Sequence, residues 1–296
     1  MTVVGIIANP ASGKDIRRLV AHAATIDNRG KVSIVRCALI GLAEAGVERV
    51  LLMPDTDHLG ERALEGLAHA HGPAPQADLL DMPVFGQPRD SETAARLLCE
   101  AGAACLIVLG GDGTVRVVSK AAGDVPLLPI STGTNNVLPS FVEGTIAGLA
   151  AGYVATGRAP LRVAAKRHKW IEIAIDGAQD DRALVDVAVL RGRFVGARAV
   201  WDIADLHQVM VTRADAASIG ISSLAGRIRP VAPDSPQGAW LQLSRAGERR
   251  VRAVLGPGLI VESGVEALRI LQVGESVELP SERPLVLALD GERDIV

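Results

Sequence analysis

Apolar residues in the first half of the chain gather into short, run-like stretches: Val3 to Ala8, Val50 to Met53, Ala77 to Leu80, Cys105 to Leu109 and Leu127 to Ile130. Runs this short, bounded by Gly, Pro or Asp, suit strands covered on both faces. Between them the apolar positions recur at helical spacing. Lys31 to Ala45 ends at Gly46; Asp57 to His71 and Asp90 to Ala101 each open on a capping Asp, and the latter ends at Gly102. Strands alternating with helices of this length predict parallel βαβ units in an open α/β sheet, where ligands gather at the carboxyl ends of the strands. After a last helix over about Val137 to Thr156 the period becomes two. Leu161 to Ala165, Trp170 to Ile175, Ala183 to Arg191, Trp240 to Leu243, Arg250 to Leu255, Val277 to Leu279 and Pro284 to Leu289 read as strands, joined by loops rich in Gly and Pro. The expected fold class is α/β followed by mainly β, with a boundary in the region 135–160.

Composition narrows the partners. A hydrophobic share of 48% with 22% charge excludes a disordered chain of 296 residues. With 31 basic against 34 acidic residues, a net charge of −3 and only seven aromatics, the chain has no global field or stacking platform for nucleic acid, and no pull toward anionic membrane. Cys37, Cys99 and Cys105 match neither a disulfide framework nor a zinc spacing, and His58, His69 and His71 do not share a helix face as two His at i, i+4 would. The first apolar run has no basic segment before it, no cleavage site after it and too few residues to cross a bilayer. These features predict a soluble, cytoplasmic protein acting on small molecules.

The chemistry is concentrated where glycines follow strands. Leu109-Gly110-Gly111-Asp112-Gly113-Thr114 ends one strand and opens a helix. Its glycines permit a sharp turn that brings backbone N–H groups to an anion, and the helix terminus adds positive potential. A polyphosphate fits such a loop, and the Asp112 carboxylate fits beside it only with a Mg²⁺ or a hydroxyl proton in between, which favours phosphoryl transfer over simple phosphate binding. The same residues would also serve as a glycine turn with an aspartate N-cap. Asn9-Pro10-Ala11-Ser12-Gly13-Lys14 and Ser131-Thr132-Gly133-Thr134-Asn135-Asn136 leave the first and fifth strands, so all three loops are expected to meet in one cleft. The P-loop pattern fails at Ala8 and Asp15, and the dinucleotide fingerprint fails at Arg116. Arg191, Arg193 and Arg198 offer either phosphate contacts or a solvated basic face.

In order and spacing, Asn9-Pro-x-Ser-Gly-Lys14, Gly110-Gly-Asp-Gly-Thr114 and Gly133-Thr-x-Asn136 resemble the superfamily that unites ATP-NAD kinases with diacylglycerol and sphingosine kinases, and within it the acetoin catabolism (AcoX-type) branch. The resemblance implies an N-terminal open parallel α/β, Rossmann-like nucleotide-binding domain over residues 1–140 and a C-terminal β-sandwich-like domain over 141–283, with segment 284–296 returning to the first domain. It implies ATP with Mg²⁺ as phosphoryl donor, NAD or a related small molecule as acceptor, and a homo-oligomer. Carried over, Asn9, Ser12, Gly110, Gly111, Gly113, Thr114, Thr134 and Asn136 are nucleotide-binding, while Asp112 and Glu292 of Asp290-Gly291-Glu292 compete for the role of base toward the acceptor hydroxyl. Read without the resemblance, those last three residues are also an ordinary terminal turn. Asp186 and Ser222 match acceptor-binding positions, although Val185 stands where NAD kinases have Asn, and the metal ligands are not assigned. Two further functions stay open: a nucleotide-binding regulator without catalysis, motivated by Val185, and a lipid kinase, motivated by Gly133-Thr-x-Asn136 and Asp290 to Glu292.

Overall fold

The computed structural model describes residues 1–13, 26–67, 74–133, 136–190, 203–279 and 286–295, with backbone alone at 178–180, 204 and 292–295. The chain forms two compact units, the first comprising residues 1–13, 25–133 and 138–166 and the second chiefly 167–296.

In the first unit, β1 (Val3–Ala8), β2 (Arg49–Leu52), β3 (Gln76–Leu79), β4 (Ala103–Gly110) and β5 (Leu127–Ser131) make a parallel sheet in the order β3-β2-β1-β4-β5. Every residue of β1 is buried because both faces are covered. On one face Val4, Ile6 and Ala8 share a core with Val35, Leu39 and Leu42 of helix α1 (Asn28–Glu44) and with Ala147 and Ala151 of a later helix, α5 (Gly144–Ala155). On the other, the missing side chain of Gly5 makes room for Leu98 of α3 (Pro88–Glu100). Two shorter helices, α2 (Leu59–Leu67) and α4 (Asp112–Ala122), follow β2 and β4. The strand order reverses between β1 and β4, which makes the adjoining carboxyl ends of β1, β4 and β5 the natural ligand crevice.

Helix starts differ from expectation in ways the caps explain. Asp27 accepts from Gly30 N and starts α1 three residues early. Asp55, not Asp57, receives the N–H groups of Asp57 and Leu59 ahead of α2. Asp90 is the fourth-position partner of a capping box that begins at Gln87. The helix expected from Val137 begins only at Gly144, capped by the Glu143 carboxylate on Ile146 N. Pro139 disfavours helix before it, and Ser140 instead bridges Ile130 beside β5. Leu161 to Ala165 is not a strand: Leu161–Ala164 forms a single exposed helical turn, α6, behind Pro160. Val277 to Leu279 is likewise no strand, and lies largely exposed without a ladder partner among the described residues.

The second unit is antiparallel. β8 (Asp186–Leu190), β9 (Leu206–Val211), β10 (Gln237–Leu243), β11 (Arg249–Gly256), β12 (Leu259–Gln272), β13 (Val286–Leu289) and β14 (Glu292–Ile295) form one sheet in the order β11-β12-β10-β9-β8-β13-β14. A two-stranded ribbon, β6 (Ile171–Ile175) with β7 (Ala178–Ala183), lies on one face, burying Ile171 and Ile173 against Val187, Val189, Leu287 and Leu289. Alternate residues of the same strands, Ala188, Leu190, Val286 and Ala288, face a larger core with Leu224 and Ala225 of the short helix α7 (Ser222–Gly226).

Two expectations about domains are corrected. The first unit runs to Lys166, not to 140, because α5 packs on α1 through close glycine contacts. The last segment does not return to the first sheet. All four residues of β13 are buried, and its pairing with β8 on one side and β14 on the other satisfies both faces and both edges within the second unit.

Candidate active site

Three loops meet at the carboxyl edge of the parallel sheet, and side chains tie them together. Asn9, first after β1, donates its backbone N–H to Leu109 O at 3.0 Å and its Nδ2 to Thr114 Oγ1 at 2.9 Å, while its Oδ1 accepts from Ala11 N at 2.8 Å. A primary amide is suited to this because it donates and accepts from one rigid group. The Ser12 hydroxyl donates to Asn9 O at 2.9 Å, so the 2.7 Å contact between Ser12 Oγ and Thr132 Oγ1 is made with the Thr132 proton. Thr132 N donates to Gly110 O at 3.3 Å. Asn9 thus joins the first loop to the second, and Ser12 joins it to the third.

The glycine loop works by missing side chains more than by unusual backbone. Gly111, the N-cap of α4, has φ −104° and ψ −175°, extended values open to any residue. At Gly110 a Cβ would stand 2.5 Å from Thr114 Cβ, so only glycine lets Thr114 fold back over the strand end. Asp112 is therefore not the cap. It opens the first turn of α4, where the helix dipole favours a carboxylate, and is buried to 7% exposure with Oδ1 accepting from Leu138 N at 2.8 Å. That bond fixes the chain beyond β5 to the start of α4.

A residue the sequence reading passed over stands behind the first loop. Lys31 in α1 has no exposed surface, and its Nζ donates to Asn9 O, Pro10 O and Ser12 O at 3.0–3.2 Å and to Asn28 Oδ1 at 3.1 Å. The available signal was a lysine in the first turn of a helix, the end where the dipole opposes it.

In the second unit, Asp290 (φ +50°) and Gly291 (φ +82°) form the two-residue turn between β13 and β14 that pairs Leu289 with Glu292. The turn is anchored. The Asp290 carboxylate accepts from Leu184 N at 3.0 Å, Val185 N at 2.7 Å and Asp186 N at 3.1 Å, and Asp290 N returns a bond to Asp186 O at 2.9 Å. Asp186 and Val185 are both buried beside it. Leu184 O accepts in turn from Thr212 Oγ1 at 2.7 Å and His168 Nε2 at 2.8 Å. Burial holds His168 below the usual imidazole range against the opposing effect of that bond, and the positive charges of Arg213 and Lys169 act in the same direction as burial.

Ser222 is not hydrogen-bonded into this cluster: it begins α7 at 1% exposure, and its Oγ has no hydrogen-bond partner. Glu292 starts β14, but its side chain lies outside the described residues, as do Lys14, Thr134, His69, His71, Arg191, Arg193 and Arg198. Asn136 is half-buried and groups with the second unit. His58 is exposed and bonds Glu61 at 3.3 Å; among the described residues no three His, Cys, Asp or Glu side chains are grouped to hold a metal.

Residues 4–159 match the family model of the ATP-NAD kinase N-terminal domain, and residues 169–296 match that of the acetoin catabolism protein X C-terminal domain. The chain is 42% identical over 302 aligned positions to Acetoin catabolism protein X of Cupriavidus necator, covering 99% of this chain and 84% of that protein. A crystal structure of a candidate diacylglycerol kinase from Bacillus anthracis aligns with 100% of this chain and 94% of its own at 12% identity, with a TM-score of 0.43.

Proposed function

The chain belongs to the kinase-like family of the ATP-NAD kinases, alongside acetoin catabolism protein X, and on that premise we propose that it transfers the γ-phosphate of ATP to a hydroxyl of NAD or a related small molecule, in a role linked to acetoin catabolism. The observation that carries this reading is the bonded meeting of Asn9 with Thr114 and of Ser12 with Thr132, with the Asp112 carboxylate beside them. Phosphoryl transfer asks a protein mainly for positioning and electrostatic stabilisation, which rigidly tied loops at a strand crevice supply. Asn9, Ser12, the Gly110 to Thr114 loop and Asn136 would hold the nucleotide. Asp112 is the acid in that loop suited to receive the acceptor proton, with Glu292 as its competitor.

Mg²⁺, when bound, neutralises charge on the transferred phosphate. The Asp112 carboxylate supplies the oxygen chemistry that such a metal takes, since Mg²⁺ is commonly held by one or two carboxylates together with substrate phosphates and water.

The test is to incubate the purified protein with MgATP and NAD and quantify NADP, with Asp112→Asn run in parallel. Asn keeps an oxygen for Leu138 N, so the variant should retain the native thermal transition while losing activity by about 10²-fold or more. Equal activity in the two proteins would remove Asp112 from the chemistry. A second reading, a nucleotide-binding regulator without turnover, is favoured by Val185, which is buried at 1% exposure with its N–H committed to Asp290. Tight ATP or NAD binding with no product from any hydroxyl acceptor would select it.

A further inference from the structure

Lys31 occupies an unfavourable position for a lysine. Its ammonium has no contact with solvent, and it sits in the first turn of α1, at the positive end of the helix dipole. Taking a charge out of water is costly, and an apolar residue of similar volume would normally serve a core better. What the charge does and a methionine could not do is gather oxygens. The carbonyls of Asn9, Pro10 and Ser12 and the side-chain oxygen of Asn28 all lie 3.0–3.2 Å from Nζ, a partial coordination shell in place of water. With three carbonyls of one short loop drawn to a single point, the loop has one arrangement. In it, Asn9 Nδ2 is on Thr114 and Ser12 Oγ on Thr132.

We propose that Lys31 is a positioning residue whose ammonium acts as a built-in monovalent cation: it shapes the Asn9 to Ser12 loop from behind and so sets the affinity of the site for the polyphosphate of a nucleotide. The last part rests on the nucleotide-dependent function proposed above; the shaping of the loop does not. Preorganisation of this kind raises affinity by removing the ordering cost from the binding step.

Two variants and two independent readouts test it. Lys31→Met keeps the volume and removes the charge, whereas Lys31→Ala leaves room for a small alkylammonium ion. Hydrogen exchange of the Ala11 to Gly13 amides reports the loop, and direct titration with MgATP reports the site. In Lys31→Met we expect those amides to exchange about tenfold faster or more and MgATP to bind about tenfold more weakly or worse, with protection of β2 and β3 unchanged. In Lys31→Ala, methylammonium or ethylammonium should restore loop protection and affinity together, a recovery that a merely space-filling side chain would not show. Native exchange and affinity in Lys31→Met overturn the proposal. If that variant does not fold, the alanine variant decides, and a response indifferent to added amine overturns it. Should the unmodified protein bind no ATP while loop exchange still rises in Lys31→Met and falls back with amine in Lys31→Ala, the loop-shaping role stands and the nucleotide-dependent function is what fails.

Discussion

Asp290 holds three consecutive backbone N–H groups, of Leu184, Val185 and Asp186, on one buried carboxylate, and so fixes where β8 begins relative to the β13–β14 turn. Removing it would orphan three buried donors and place an alanine at φ +50°, where Asp is better tolerated. Asp290→Ala should therefore lose about 3 kcal/mol in urea unfolding followed by far-UV circular dichroism; a loss below about 1 kcal/mol would mean that water takes over the three donors. At this scale the sequence was legible where residue type and chemistry coincide. Asn9 and Asp112 stand out as an amide and a carboxylate beside glycines after buried strands, even though a capped glycine turn would use the same residues. Lys31 was illegible because a lysine within a helical pattern reads as a solvated side chain, and its partners are backbone carbonyls that no pattern of side chains reveals. Asp290-Gly291 was readable as a turn, but its anchor at Leu184 to Asp186 is more than a hundred residues away in the chain.

Among the elements, the α1–α5 contact is set by absent side chains. A Cβ at Gly148 would stand 2.2 Å from Ala38 O, one at Gly41 2.3 Å from Thr145 O, and one at Gly144 2.5 Å from Ile34 O. Backbone carbonyls cannot swing aside, so Gly148→Ala should destabilise by about 2 kcal/mol despite alanine's better helix propensity. Gly66 in α2 is the control: the nearest atoms its Cβ would meet are those of the Arg36 guanidinium, which can move, and Gly66→Ala should stay within about 1 kcal/mol of the native protein. Paired melting curves of the two variants check this, and equal shifts would deny the close helix approach. Glycines four residues apart at 144, 148 and 152 were visible in the sequence, yet glycine argues against helix unless a partner backbone is known to lie there. The parallel strands were legible because each is built around a short, mostly apolar run. In the antiparallel unit, β12 was missed because its buried and exposed residues do not alternate cleanly across the bulged pairing with β10.

At the scale of the whole chain, each unit builds its core from its own residues: Val4 to Ala151 in the first, and Ile171 to Leu289 in the second. Periodicity placed the change of architecture near the right point, since the helix ending near Thr156 and the strand read over Trp170 to Ile175 are both real, although Leu161 to Ala165 between them is a helical turn. It set the boundary too early because a helix after the last parallel strand carries no mark of which unit it packs on. Pro284 to Leu289 was legible as a strand but its sheet was not, for a related reason: Val286 to Leu289 is apolar at every position, as a strand in either sheet would be, and only the β8 partner decides. The joint itself is exposed at Lys166 and Arg167, between the end of α6 at Ala164 and the start of β6 at Ile171. Trypsin cuts after such residues only where the backbone can leave its surroundings cheaply, so brief digestion should cleave after Lys166 or Arg167. The C-terminal product contains both of its core clusters entire, and it should keep a β-type far-UV spectrum after separation from the remainder. Mass spectrometry of the early fragments checks the first point. A C-terminal fragment that unfolds on isolation would show that an intact core is not sufficient for this unit, and that its stability depends on residues from the first 166 of the chain.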